Sequence, residues 1–111
     1  MAHFLVRWGF KDSSAKAMLA TPQDRTETAR ALVESFGGKL HDYYFAFGEY
    51  DGVGICEFPD NTSAAAFSMA ATSTGGYSRF ETIPLLTGKE AEAAMKKAHG
   101  TKTPGYRPPN A

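Results

Sequence analysis

Residues 43–58 read YYFAFGEYDGVGICEF. Aromatic and apolar residues run up to Gly48-Glu49 and resume after it. That is the pattern of two strands joined by a short connection, which pair as an antiparallel hairpin. The first strand extends back to Lys39 and ends at Phe47; the second runs from Tyr50 to Phe58. Gly48 is expected to supply the positive φ of a tight turn. Asp51 is expected to accept backbone amides beside it. On this reading Gly48-Glu49-Tyr50-Asp51 is a hairpin device. The competing reading places Tyr50 and Asp51 at a pocket mouth.

Working outward, residues 3–10 alternate, with Phe4, Val6, Trp8 and Phe10 on one side and His3, Leu5, Arg7 and Gly9 on the other. Period two predicts a strand. Residues 12–36 predict helix in two pieces, the second starting at Thr21-Pro22 with Asp24 in its first turn. Ala29, Leu32, Val33 and Phe36 form its apolar stripe, and Gly37-Gly38 ends it. Beyond the hairpin, Pro59-Asp60-Asn61 breaks the strand, and Asn61 or Thr62 caps an alanine-rich helix that stops at Gly75-Gly76. Residues 77–86 alternate again. Pro84 cannot donate to a ladder and assigns this strand to an edge or a bulge. A last helix spans about 89–98. Residues 1–98 thus form one domain, and residues 99–111, rich in Pro and Gly, form an extended or disordered tail.

The order β-α-β-β-α-β with a terminal helix is the α+β ferredoxin-like arrangement: a four-stranded antiparallel sheet with helices on one face. The strands do not alternate cleanly between apolar and polar. His41, Tyr43, Phe45 and Phe47 are assigned to one face and Leu40, Tyr44 and Ala46 to the other. Val53 and Ile55 oppose Tyr50, Cys56 and Phe58. Large side chains on both faces predict that both are covered, the second by another copy of the sheet in a dimeric α/β barrel or a higher even oligomer.

Composition excludes several classes. The chain has 111 residues, with 12 Lys+Arg against 12 Asp+Glu. A neutral chain without a basic stripe argues against nucleic acid as a partner. The single Cys56 forms no intrachain disulfide and reads as a small buried hydrophobe in a reduced compartment. No run suggests a signal peptide or a membrane span, so the expected location is the cytoplasm.

No P-loop, nucleophile elbow or zinc-binding spacing occurs. The histidines, His3, His41 and His99, are not at metal-ligand spacing from one another, and neither a metal nor a cofactor is assigned. His41, with Asp51 or Glu57, is the candidate general base, since histidine titrates near neutrality. Arg7, Glu57 and Arg79 lie among apolar strand neighbours. Either they reach water at strand ends, or the arginines pair with Glu57 or Glu81 and orient a ligand. Trp8, Tyr43, Tyr44 and Tyr50 are candidate walls for a planar ligand, or else core.

The run YYFAFGEYDGVGICEFPD, the alanine-rich helix, the Gly-Gly, LLTGKEAEAAMKKA and the closing TPGYRPP together resemble the GYD domain family. The resemblance covers essentially the whole chain. It implies a dimeric α/β barrel and supplies no reaction. The wider superfamily it implies includes cofactorless monooxygenases, haem-handling enzymes, decyclases and isomerases, and stress-responsive proteins.

Three functions follow as expectations. The first is a small-molecule-binding dimeric barrel, extended to cofactorless proton transfer or oxygenation of a small organic metabolite. The second is a non-enzymatic oligomeric interaction or stress-response module. The third is haem or metal binding through His41.

Overall fold

A computed structural model describes residues 1–110. The order is β1 (Ala2–Phe10), α1 (Asp12–Ala20), α2 (Thr26–Ser35), β2 (Lys39–Phe45), β3 (Gly52–Phe58), α3 (Asn61–Thr72), β4 (Tyr77–Leu85) and α4 (Gly88–Gly100). The strands form one antiparallel sheet in the order β2-β3-β1-β4, the expected ferredoxin-like topology.

The alternation of β1 does what period two requires. Phe4, Val6 and Trp8 are buried, and they meet Leu40, Cys56 and Phe58 of the neighbouring strands. Val33 of α2 and Ala64 and Phe67 of α3 close the core from above. Phe58 is fully buried, with its ring 5.8 Å from Phe4 and 5.1 Å from Phe67. Burying one such side chain stabilises a fold by roughly 1.5–3 kcal/mol.

Gly52 serves close approach. It pairs with Trp8, and a Cβ there would overlap Cζ2 and Cε2 of the indole. The indole of Trp8 therefore approaches the β3 backbone more closely than any side chain at this position would allow. Gly75, at φ 77°, ends the segment after α3 in the left-handed region, as the Gly-Gly pair predicts. The edge position expected from Pro84 also holds, since β4 pairs with β1 alone.

Several local expectations change. Helix α2 starts at Thr26, not at Thr21-Pro22, because Asp24 folds the approach into a turn. Its Oδ1 accepts the Thr26 amide at 2.9 Å and the Thr26 hydroxyl at 2.6 Å. Helix α3 is capped by Asp60, one residue earlier than expected, whose Oδ1 accepts the Ser63 amide at 2.7 Å. Gly48 does not adopt positive φ; among the described residues only Gly37, Gly75 and Gly105 do. The connection between β2 and β3 is longer than a two-residue turn, so no left-handed residue is needed there.

The largest change is in β2. Leu40 pairs with Cys56 and Asp42 with Ile55, so His41 is an unpaired, supernumerary residue. This β-bulge resets the alternation. Tyr43 and Phe45 turn to the helix-covered face with Leu40, while His41 and Tyr44 lie on the open face. The single face expected for His41, Tyr43, Phe45 and Phe47 is thereby split. Phe47 lies beyond the strand and is fully exposed. Tyr50 precedes β3 and joins the open face, not that of Cys56 and Phe58.

Helix α4 opens with a capping box between Thr87 and Glu90 and buries none of its side chains. It continues through Gly100, past the expected boundary at residue 98. Residues 101–110 add no helix or strand, and residue 111 of the expected tail lies outside the described range.

Candidate functional site

The sheet separates the candidate residues into two groups on opposite faces. On the helix-covered side, α1, α2 and α3 leave a cavity of about 670 Å³ over β1 and β3. Its aromatic lining includes Trp8, Phe10, Tyr43, Tyr77 and Phe80. Trp8 and Tyr43 stack at 5.4 Å, and Tyr77 contacts Phe10 at 5.6 Å and Phe80 at 5.1 Å. Tyr43 owes its place here to the bulge in β2, and Tyr77 to the register shift opposite Gly9 and Phe10.

Burial dominates the electrostatics of this cavity. It pushes the Tyr43 hydroxyl up to about 12 and the Cys56 thiol up to about 11, and it raises the Tyr77 hydroxyl. All three groups are neutral at physiological pH. Among the described residues Arg25 is the one cation of the lining, and its charge opposes the rise at both tyrosines. Its Nη1 donates to Gln23 Oε1 at 2.9 Å. Among the described residues, no His, Asp or Glu lines the cavity. The Trp8 Nε1 donor is buried and has no hydrogen-bond partner among the described residues.

The open face carries the charged candidates. Arg7 Nε donates to Glu81 Oε1 at 3.0 Å, and the Tyr50 hydroxyl donates to the same oxygen. The guanidiniums of Arg7 and Arg79 lie over the Tyr50 ring at 4.3 and 4.6 Å. Arg79 also pairs with Glu49 at 3.5 Å. The Tyr50 hydrogen bond, followed by that of Arg7, holds the Glu81 carboxyl below its ordinary range. The same bonds raise the Tyr50 hydroxyl and the Arg7 guanidinium. Tyr44 stands 63% exposed on β2 and contributes no wall to an enclosed site.

At one end of the same face, β1, β2 and β3 bring His3, His41 and Glu57 together. Glu57 Oε1 lies 2.8 Å from His3 Nε2 and 3.3 Å from His41 Nε2. The two imidazoles are stacked, 6.0 Å apart and 20° from parallel.

Of the sequence candidates, His41 and Glu57 meet, as do Arg7, Tyr50 and Arg79. Trp8 and Tyr43 meet on the other face. Asp51 stands apart from His41. It is committed to the backbone: its Oδ2 accepts the Phe10 amide at 2.7 Å. His3, Tyr77 and Phe80, read from sequence only as strand residues, are the residues that sequence reasoning missed. His3 is invisible to linear spacing because its partners lie on two other strands. Cross-strand pairing of His3 with Glu57 is the signal that could have found it.

A GYD domain model matches residues 4–95. The chain belongs to the GYD domain family. The match runs from β1 into α4. The fold is also similar to that of MtbAldR, with a TM-score of 0.52 and 13% identity; the alignment covers 96% of this chain and 58% of that one. FFRP-DM1 aligns with a TM-score of 0.48 and 13% identity over 78% of this chain and 100% of that chain. Hypothetical protein PHS023 from Pyrococcus horikoshii aligns with a TM-score of 0.47 and 14% identity, covering 78% of this chain and 92% of that one. At 13% identity the likeness to MtbAldR is one of fold. Comparison with curated proteins gave no match. Among the described residues, no helix is long and apolar enough to cross a membrane.

Proposed function

We propose that this GYD-domain protein binds a planar, mainly apolar organic anion in the cavity between the sheet and its helices. The observation that carries this reading is an aromatic-lined space of about 670 Å³ whose lining holds a single cation, Arg25. Small-molecule sites commonly occupy 300–1,000 Å³, with an apolar wall and a few orienting polar groups. Trp8, Tyr43 and Tyr77 offer π surfaces to a flat ligand. Arg25 offers a partner for a carboxylate, with Ser14 and Gln23 as additional polar groups of the lining.

This is a binding function. Proton transfer needs a group that titrates near working pH, and the lining holds none. The histidine and carboxylates considered for that role lie on the other face or are tied to backbone.

The same reading includes a homodimer that covers the open face. Leu5, Val53, Ile55 and Ile83 sit half-buried at its centre, ringed by charged side chains. An Ile55→Lys variant that keeps its circular dichroism spectrum but halves its mass in sedimentation supports that interface. An unchanged mass removes it.

The cavity is tested by fluorescence titration of Trp8, the only tryptophan, with a panel of aromatic carboxylates and the matching neutral amides. Saturable quenching by acids, weakened in Arg25→Gln and abolished in Ala29→Phe, is the expected result. Equal response to acids and amides would remove the anion preference. Absence of any response would remove the cavity as a site.

A further inference from the structure

We infer that His3, His41 and Glu57 form a binding site for a divalent first-row metal ion such as Zn²⁺ or Co²⁺. The site lies on the open face, away from the cavity, and its case is independent of the ligand proposed there.

The donor set comes first. Two imidazoles and one carboxylate are the ligands that zinc and its neighbours take when water or another molecule completes the shell. The three donor atoms lie within 4.8 Å of one another, and two of the separations are 2.8 and 3.3 Å. An ion held at about 2.0–2.1 Å from each ligand has donors about 3.0–3.4 Å apart. Small side-chain rotations therefore suffice to admit it.

The scaffold comes second. Three neighbouring strands each contribute one ligand, so the spacing is held by ladder hydrogen bonds. His3 and Glu57 are a direct cross-strand pair. His41 is the bulged residue of β2, and bulges commonly re-aim side chains at functional sites. Both rings present Nε2 to the same carboxylate oxygen. Each keeps Nδ1 to carry its proton when Nε2 binds metal.

Exposure comes third. The imidazoles are 38% and 39% exposed and Glu57 20%. The carboxylate is thus partly withdrawn from water, while the two imidazoles lie at one end of the face, beyond its apolar centre, where water or an exogenous ligand can complete the shell. The charge balance is also favourable, since a divalent ion on two neutral imidazoles and one carboxylate leaves a net charge of only +1.

The test uses the full chain without a polyhistidine tag. Calorimetric titration with Zn²⁺ is expected to show one equivalent per protomer. His41→Ala and Glu57→Gln should each weaken binding by at least about tenfold, as is common for disturbed metal sites, while His99→Ala, on a helix that buries none of its side chains, leaves it unchanged. A second readout needs no variant. Histidine ring NMR signals of His3 and His41 should shift on adding Zn²⁺, and the signal of His99, in the last turn of α4, should not. Uptake that the variants do not alter, equal shifts of all three histidines, or no binding would each overturn the site.

Discussion

The carboxylate of Asp51 holds the amide of Phe10 at 2.7 Å, where β1 loses its register with β4. The Asp51 amide in turn donates to Trp8 O at 2.8 Å, and Asp51 O accepts the Ala46 amide at 2.8 Å. One residue thus clamps β1, the end of β2 and the start of β3. Asp51→Ala is expected to cost about 1.5–3 kcal/mol, typical for a hydrogen bond to a charged group. Asp51→Asn should recover part of that loss. Urea denaturation checks both. A variant as stable as the wild type that has lost cavity binding would show that Asp51 serves the ligand instead.

Gly52→Ala places a methyl where the Trp8 indole lies. The ring must shift or the strands must part, at about 1–3 kcal/mol. Intrinsic fluorescence should report a more exposed tryptophan together with a lower denaturation midpoint. A midpoint and spectrum equal to the wild type would mean that the ring does not rest on β3.

Glu81 has a folded-state pKa depressed from its ordinary 4.5, first by Tyr50 and then by Arg7. Its contribution to stability is therefore complete above about 4.5 and fades as pH falls below that. Glu81→Gln should lower the melting temperature at pH 7 and flatten the decline from pH 5 to pH 3. Asp24, Asp60 and Glu90 are depressed as well and leave a residual slope. A Glu81→Gln curve parallel to the wild type would show that this carboxylate carries no linkage.

Cys56 is 1% exposed, and burial pushes its thiol up to about 11. Thiolate, not thiol, is the nucleophile. The native protein should resist iodoacetamide at pH 8 and react stoichiometrically in guanidinium chloride, as mass spectrometry would show. Labelling of the native protein within minutes would mean that β3 opens readily or that iodoacetamide enters the cavity as far as the sulfur.

The fold was legible because β3 and most of β1 alternate buried with half-buried residues and because Gly and Pro punctuate the chain between its elements. Pro84 even marked the edge strand. The candidate site was legible only in pieces. Linear alternation in β2 predicts one face for His41 and Tyr43, and a single unpaired residue cancels that inference for everything after it. Helix starts were missed by a few residues because Asp24 and Asp60 make their bonds to amides farther along. The meeting of His3 with His41 rests on strand pairing across some forty residues, which no local pattern encodes.

The bulge in β2 also inverts the usual rule about gaps. Removing one residue from a paired strand normally swings every later side chain through the sheet. Here β2 is a six-residue strand that carries seven. Excising His41 would let Leu40, Tyr43 and Phe45 keep their inward places and Tyr44 its outward one. The chain should tolerate that deletion with its packing intact and forfeit only an imidazole. At this position the packing of the sheet is indifferent to the length of the strand.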